Sequence, residues 1–306
     1  MTPTLVRQHL PHAGPSPRSD GGARARDWAE IQERMLVPLY EAVFERLEVG
    51  GGTRLLGLGC GSGLALLMAA SRGASVTGVD SSSPERLALA RERLLPGGPG
   101  AGPGEPGAGP AEPGAGPGEP GAGPGDRARI VAGSPRDTVA QGVPAYDLVT
   151  AFEPIGCVAG DSAGLVTLLG EAAPLARRGA AVVLVGWGPP ERCVTSAVLR
   201  VATKLADPLR GAACWRAACR DDLEEVAERA GLRPDGSGRV ACPFGYADVD
   251  SAVRGLLSTG LFDAAIAATD QAQVDKEVAE ALHPHLRRDG TVWMPNVFRY
   301  LIARTT

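Results

Sequence analysis

The sequence is poor in aromatic side chains, in histidine and in clustered basic residues. Phe, Trp and Tyr together make up 4% of the 306 residues, and only 4 histidines are present. Lys and Arg number 31 against 35 Asp and Glu, which gives a formal net charge of −4. Because nucleic-acid-binding surfaces carry clustered positive charge, we expect a small-molecule or peptide partner rather than a nucleic acid.

Cysteine pairs of the metal-binding kind and long apolar runs are also absent. The 6 cysteines include no CxxC pair and have no His at ligand spacing, so the sequence favours no metal site. Apolar runs such as residues 180–185 are far shorter than the roughly 20 residues that span a bilayer. Residues 1–26 lack the apolar centre of a secretory signal and are rich in Pro, Gly and Arg, which predicts a disordered tail. We therefore expect no membrane association, reduced cysteines and a cytoplasmic protein.

Residues 96–126 form a low-complexity insertion in a domain that otherwise spans residues 27–306. From Pro99 to Asp126 the chain reads PGAGPGE, PGAGPAE, PGAGPGE and PGAGPGD. Pro and Gly at this density build no core, coiled-coil apolar positions are missing, and glycine does not recur at every third residue as in collagen. The segment is predicted to be a flexible surface insertion. It joins a predicted helix to a predicted strand, so we expect it at the sheet edge opposite the ligand.

Outside the insertion, predicted strands and helices alternate along the chain. Strands are expected at residues 53–58, 75–79, 128–132, 147–152, 181–187, near 239–244 and, as a strand or hairpin, 291–303. Helices are expected at residues 27–47, 84–95, 163–175, 193–206, 220–230 and, as two or three helices, 249–286. This alternation predicts an α/β fold, a Rossmann-like, doubly wound, mostly parallel sheet with helices on both faces. Asp27 is the expected N-cap of the first helix, and a helical cap inserted at about residues 191–290 is expected to select the substrate.

A glycine-rich turn is the strongest local signal. Residues 55–63 read LLGLGCGSG, directly after a predicted strand and at the start of a predicted helix. Such glycines permit a tight turn and close backbone approach to a ligand, and the helix N-terminus adds amide donors. Asp80 ends the next strand, where its carboxylate can accept hydrogen bonds from two ribose hydroxyls. The spacing is GxGxG and not the GxGxxG of dinucleotide sites, which disfavours a nicotinamide-dependent oxidoreductase. An ordinary glycine-rich turn without a ligand is the simplest alternative.

Several segments together resemble the class I S-adenosylmethionine-dependent methyltransferases. Residues 55–63 resemble motif I of that family, and Asp80 in GVDSS resembles the acidic residue that closes its second strand. YDLVTAF at residues 146–152 resembles the start of its fourth strand, and RGAAVVLV at residues 178–185 resembles the entry to its fifth. A bacterial subgroup of the family is also similar in three segments: WAEIQ from Trp28, WGPPE from Trp187 and NVFRY from Asn296.

The resemblance implies S-adenosylmethionine as the cofactor and assigns residues to it. The residues that match the family's motifs or follow its strands are Gly57, Gly59, Cys60, Gly61, Gly63, Asp80, Ser81, Ser134 and Phe152. Two of these positions depart from the family's pattern. Gly57 replaces the acidic residue that helps to hold the methionine ammonium, and Ser134 replaces one that often binds the adenine amine. A relative that binds the cofactor but has lost catalysis is therefore an alternative.

The first helix supplies three further candidates for the cofactor. Trp28 and Gln32 are separated by one helical turn and share a face, and Tyr40 falls within about 120° of that face. In the resembling subgroup this helix closes over the cofactor, which implies contacts with its methionine end. Packing of an amphipathic helix is the alternative explanation.

Two side chains are candidates for acid–base chemistry. Glu153 follows the fourth strand, where the transferred methyl group is expected, and can position an amine or take its proton. His285, at the end of a predicted helix, can act as a base or can interact with the helix dipole. The C-terminal aromatic residues are expected either to line a substrate pocket or to pack in the core: Trp215, Phe244, Tyr246, Phe262 and Trp293.

The sequence thus predicts a class I methyltransferase that acts on a small molecule or small peptide of secondary metabolism. N-methylation is favoured, because a neutral amine needs less base catalysis than a hydroxyl group and no metal cluster is visible. O-methylation and C-methylation are the alternatives within this class.

Overall fold

The computed structural model describes residues 21–95, 127–138, 145–157, 160–206 and 222–306. The helices are α1 Gly21–Asp27, α2 Val37–Arg46, α3 Leu64–Ser71, α4 Pro84–Leu94, α5 Asp161–Ala172, α6 Thr195–Ala206, α7 Asp222–Arg229, α8 Val249–Ser258, α9 Asp263–Ala268 and α10 Gln271–Leu282. The strands are β1 Arg54–Leu58, β2 Ser75–Asp80, β3 Ala128–Ala132, β4 Tyr146–Ile155, β5 Ala176–Trp187, β6 Arg233–Ala241, β7 Phe244–Tyr246, β8 Val292–Met294 and β9 Val297–Arg304.

The main sheet has seven strands in the order β3-β2-β1-β4-β5-β9-β6. The first five strands pair in parallel, whereas β9 is antiparallel to both β5 and β6. The strand order changes direction at β1 and β4, since β2 and β3 lie on one side of this pair and β5 on the other. Ligands bind at such a switch point beside the carboxyl ends of the strands. The predicted doubly wound, mostly parallel sheet is confirmed.

Two apolar clusters cover the two faces of this sheet. Successive residues of a strand point to opposite faces, so Leu55 belongs to one cluster and Leu56 to the other. Val183 and Leu184 are divided in the same way on β5. Helices α2, α3 and α4 pack on the first face, and α5 and α7 pack on the second. Burial on both faces explains why the central strands read as continuous apolar runs.

The N-terminal segment differs from its prediction in where it begins and in its register. Helix α1 starts at Gly21, so the disordered tail does not extend to residue 26, and Asp27 is a helical residue whose side chain caps nothing. A π-helical turn, Trp28–Gln32, and a 3₁₀ turn, Glu33–Leu36, then separate α1 from α2. The regular period of 3.6 residues used to place side chains on this helix is therefore wrong over the central residues.

The C-terminal part contains the predicted helices, and its last segment, predicted as a strand or a hairpin, does not form a hairpin. Three helices, α8 to α10, occupy the interval expected for two or three. Residues 291–303 contain two strands that do not pair with each other, because β8 joins β7 in a small separate sheet while β9 enters the main sheet. Strand β6 also begins at Arg233, well before the expected residue 239. Among the described residues, no helix is long and apolar enough to cross a membrane.

The low-complexity insertion lies outside the described residues, but the elements that flank it are described. Helix α4 ends at Leu94 and β3 begins at Ala128, which pairs with Val76 at the start of β2. Asp80 pairs with Ala132 at the other end of the same two strands. The insertion is therefore attached at the edge of the sheet opposite Asp80.

Deleting residues 100–125 is expected to leave the stability of the domain nearly unchanged. Residues 95–99, 126 and 127 remain between α4 and β3, and loop-closure entropy changes by only about 0.6 kcal/mol per doubling of length. Chemical denaturation and S-adenosylhomocysteine binding, measured on the full and shortened chains, check this expectation. A folded deletion variant that no longer bound ligand would show that the insertion reaches the site.

Candidate functional site

The turn between β1 and α3 adopts a backbone that only glycine accommodates well. Gly59, Gly61 and Gly63 have φ values of +58°, +55° and +82°. A Cβ on Gly63 would approach Ala90 of α4 to 3.0 Å, so this glycine also allows α3 and α4 to pack closely. The predicted tight turn is thus present, and the amide of Cys60 bonds to Val79 O at 3.2 Å.

Asp80 lies at the carboxyl end of β2 and is 6% exposed. Its Oδ2 accepts a hydrogen bond of 2.9 Å from the amide of Gly61. Its Oδ1 accepts bonds from the amide and the hydroxyl of Ser82, at 2.7 and 2.6 Å. The carboxylate therefore links the glycine turn to the β2–α4 turn and faces the cleft above the switch point.

A cavity of about 50 Å³ lies between the glycine turn and the N-terminal segment. Of the predicted cofactor residues, those that line it are Trp28, Tyr40, Gly57, Gly59, Cys60, Gly61, Asp80 and Phe152. Glu153, the predicted catalytic carboxylate, also lines it. Burial raises the pKa of the Cys60 thiol to about 12, so this sulfur is a neutral, apolar part of the wall.

The remaining predicted residues do not line this cavity. Gln32 is turned away and accepts a 2.9 Å hydrogen bond from the hydroxyl of Tyr246. Ser81 does not line the cavity, whereas the neighbouring Ser82 does. Ser134 follows β3 and donates its amide to Asp137 Oδ2 at 2.7 Å. His285 lies in the 3₁₀ turn after α10, beside the small sheet, where burial lowers the pKa of its imidazole.

The space beside Gly57 is occupied by a hydrophobic side chain. A Cβ at this position would lie 2.8 Å from Cδ2 of Leu66 on α3. An acidic side chain could not be added here without moving Leu66. If a carboxylate serves the site, it must therefore come from another part of the chain.

Glu33 is such a carboxylate, and the sequence analysis did not identify it. The side chain is 2% exposed and lines the same cavity. Its Oε2 accepts bonds from the hydroxyl of Ser62 and, at 3.0 Å, from Arg93 Nη1. Burial, the largest effect, raises the pKa of the carboxyl, although Ser62 and Arg93 lower it. The π-helical turn explains the omission, because the amide of Glu33 bonds to Trp28 O and stacks these two residues on one face.

Trp28 contributes an unpaired donor to the same place. Its indole Nε1 is buried and has no hydrogen-bond partner among the described residues. A Cβ built on Gly61 would lie 3.1 Å from this nitrogen and 3.5 Å from Glu33 Oε1. A donor and an acceptor therefore face the same glycine of the turn.

A second cavity, of about 320 Å³, adjoins the first. Ser82, Arg86 and Glu153 line both. The other lining residues come from α1, from the start of α4 and from the α8–α9 turn of the predicted cap: Gly21, Arg24, Ala25, Ser83, Glu85, Thr259, Gly260 and Asp263. A volume of this size is within the range of small-molecule sites.

Arg86 and Glu153 stand at the junction of the two cavities. The Arg86 guanidinium lies 4.2 Å above the Trp28 ring and donates to the carbonyl oxygen of Ser258. Glu153 Oε2 lies 3.6 Å from where a Cβ of Gly59 would be. Desolvation has the largest effect on Glu153 and raises its pKa. The charge of Asp80 raises this pKa further, and the charge of Arg86 lowers it. The carboxylate is thus next to the glycine turn and open to the second cavity.

Of the two alternatives for the C-terminal aromatic residues, core packing holds for three of them. Tyr246, Phe262 and Phe244 are 4%, 0% and 2% exposed, and all three belong to the main apolar cluster. The substrate-pocket interpretation is wrong for them, because β7 and the α8–α9 turn direct these side chains inward. Trp293 is 38% exposed beside Arg287 and lines neither cavity. Trp215 lies outside the described residues.

No family model and no curated protein matches the chain. Solved structures do. A proposed sarcosine dimethylglycine methyltransferase from Galdieria sulphuraria superposes with a TM-score of 0.50 and 12% identity, over 94% of this chain and 99% of that one. The fold is that of class I methyltransferases.

Two further structures with this fold are similar at lower scores. A proposed methyltransferase from Bacillus halodurans C-125 has a TM-score of 0.48 and 14% identity, with 86% of this chain and 97% of that one covered. The geranyl diphosphate C-methyltransferase from Streptomyces coelicolor A3(2) has a TM-score of 0.46 and 14% identity, with 95% and 86% covered. The methyltransferase fold places the glycine turn, Asp80 and the carboxyl ends of β1, β2 and β4 around one cleft.

Proposed function

We propose that the protein is an S-adenosylmethionine-dependent methyltransferase that methylates an amine of a small molecule or small peptide of secondary metabolism. The observation that carries the proposal is the convergence of the glycine turn, Asp80 and Glu153 on one cleft at the switch point of the sheet. Free thiols at the four described cysteines support a cytoplasmic location.

The described residues suit the cofactor in three respects. The glycine turn brings backbone amides to the cleft, Asp80 offers a buried carboxylate to ribose hydroxyls, and Trp28 Nε1 is a buried donor that lacks a partner. A cavity of about 50 Å³ is smaller than the roughly 300 Å³ at which small-molecule pockets begin. The cavity must therefore widen to admit the cofactor, and Trp28, Glu33 and Leu36 of the N-terminal segment form one of its walls.

When bound, S-adenosylmethionine supplies an electrophilic methyl group on a sulfonium. The chain's own contribution is to hold the acceptor against that methyl group and to exclude water. Positioning of this kind can lower a barrier by roughly 7–11 kcal/mol. Glu153, at the junction of the two cavities, is placed to orient the N–H of an amine and to stabilise the positive charge that grows on its nitrogen.

The charges around the second cavity favour an amine as the acceptor. Its lining has two arginines, Arg24 and Arg86, against three carboxylates, Glu85, Glu153 and Asp263, and Arg24 pairs with Asp263. Glu153 has no ion pair among the described residues, and Glu85 accepts only a hydroxyl bond from Ser83. The uncompensated charge at the cavity is therefore negative, which suits a basic acceptor better than an anionic one.

A cofactor-binding protein without transferase activity is the second candidate. The observations that favour it are the small cavity and the absence of a side chain at Gly57. Both candidates bind S-adenosylhomocysteine, and only the enzyme transfers a labelled methyl group to an amine. A screen of primary, secondary and tertiary amines with labelled cofactor separates them.

Asp80→Asn is expected to weaken S-adenosylhomocysteine binding by about 1–3 kcal/mol, the range for unpaired buried polar groups. The substitution keeps the size of the side chain but removes the charge beside Gly61 and Ser82. Calorimetric titration measures the loss, with the exposed Asp289→Asn as a control that leaves affinity unchanged. Binding of NADH by the wild-type protein, with none of S-adenosylhomocysteine, would overturn the proposed function.

A further inference from the structure

The methionine end of S-adenosylmethionine carries an ammonium and a carboxylate, and both need partners in a buried site. On β1 the expected acidic position is Gly57, and Leu66 fills the space beside it. Among the described residues that line the cavity, three carboxylates are present: Glu33, Asp80 and Glu153. Asp80 lies at the end of β2 and accepts a hydrogen bond from the amide of Ser82, and Glu153 also lines the second cavity.

Glu33 has one oxygen that remains available. Its Oε2 is held by Ser62 and Arg93, whereas its Oε1 accepts only a long bond of 3.3 Å from the amide of Leu64. The same Oε1 lies 3.5 Å from the Cβ position of Gly61, at the wall of the cavity. Arg93 also donates to Ser62 O at 2.9 Å and to Ala29 O at 3.2 Å, so the carboxylate is fixed from behind.

Trp28 supplies the complementary partner. Its unpaired Nε1 is next to the same point of Gly61, and the π-helical turn places it on the same face as Glu33. A buried N–H donor without a partner is costly, and a ligand oxygen would relieve that cost. A carboxylate is the oxygen-bearing group of the methionine end.

We propose that Glu33 binds the ammonium and Trp28 Nε1 binds the carboxylate of the cofactor's methionine end, so that Glu33 replaces the side chain missing at Gly57. This inference rests on the proposed function. It assigns to the N-terminal segment the binding of the ammonium, for which β1 has no side chain at Gly57. The charges that face Glu33 come from Arg93 on α4, and the donors come from the glycine turn.

The test compares three ligands that differ only at this end. S-adenosylhomocysteine has both charged groups, its deaminated analogue has only the carboxylate, and 5′-methylthioadenosine has neither. Glu33→Gln is expected to weaken S-adenosylhomocysteine about 10- to 100-fold and to leave the other two ligands unchanged. Trp28→Phe is expected to weaken S-adenosylhomocysteine and the deaminated analogue by about 5- to 10-fold and to leave methylthioadenosine unchanged.

Calorimetric affinities separate this proposal from a purely structural role and from failure of the proposed function. Equal losses for all three ligands in Glu33→Gln would mean that Glu33 only supports the turn, which overturns the inference. If Glu33→Gln does not fold, the test uses Trp28→Phe instead. Equal losses of affinity for all three ligands in that variant would likewise indicate a structural role and overturn the inference. A wild-type protein that binds none of the three ligands contradicts the proposed function itself.

Discussion

Replacing Glu153 by Gln is expected to lower kcat for methyl transfer to an amine by about 100- to 1000-fold, the effect of removing one group that stabilises charge in a transition state. The carboxylate faces both cavities, and no basic side chain forms an ion pair with it among the described residues. Glutamine keeps the shape but not the charge. Affinity for S-adenosylhomocysteine should stay within about twofold, since the glycine turn and Asp80, and not Glu153, are the proposed contacts of the cofactor.

The measurement is single-turnover transfer of labelled methyl to whichever amine the wild-type protein accepts. Glu85→Gln is the matched control, because Glu85 lines the second cavity only, beside Ser83. It should change kcat little. A Glu153→Gln variant with wild-type kcat would show that the acceptor nitrogen lies elsewhere and would remove the main argument for an amine.

The same carboxylate predicts a pH dependence. Desolvation and the charges of Asp80 and Asp161 raise the pKa of Glu153, and Arg86 opposes them. The active form is the carboxylate, so transfer is lost as the pH falls through the raised pKa. The acid limb of the kcat profile should therefore lie at a higher pH than for an ordinary glutamate, and it should disappear in Glu153→Gln.

Phe262→Ala is expected to destabilise the domain by about 3–5 kcal/mol, the usual cost of truncating a buried aromatic residue. Its side chain is fully buried in the main apolar cluster, directly before α9. The truncation leaves a cavity that the surrounding helices fill only in part. Urea unfolding measures the change in the free energy of unfolding.

Trp293→Ala is the matched control for this truncation. Trp293 is 38% exposed and contacts the guanidinium of Arg287, so its loss should cost less than about 1 kcal/mol. A Phe262→Ala variant of normal stability whose acceptor KM is raised would restore the hypothesis of an aromatic substrate pocket.

Local sequence was sufficient for the framework of the site. The glycine turn and Asp80 could be predicted because each depends on its own few residues: positive φ requires glycine, and a carboxylate after a buried strand reaches the carboxyl edge of a sheet. Strand β3 was predicted at its observed bounds, although the insertion precedes it. Glu153 lies inside β4 near its carboxyl end, not after the strand as predicted, and its role stays a prediction.

Contacts between distant segments could not be predicted in this way. The sequence shows that Tyr246 and Phe262 are aromatic, but it does not show whether these side chains face a pocket or the core. Both lie in the core. The sequence pattern also does not reveal the direction of a strand, since the apolar pattern of a strand is the same in either direction. Only the fold shows that β9 is antiparallel and that β8 belongs to a separate sheet.

By itself, therefore, the sequence determined the α/β alternation, the glycine turn and the carboxylate at the end of β2. Tertiary structure alone decided which side chains complete the site. The π-helical turn after Trp28 shifts the face of the N-terminal segment, which turns Gln32 towards Tyr246 and Glu33 towards Ser62. The π-helical turn contacts α8, and Arg86 and Arg93 of α4 reach Trp28 and the carbonyl oxygen of Ala29, so the segment is surrounded by residues that lie far from it in the sequence.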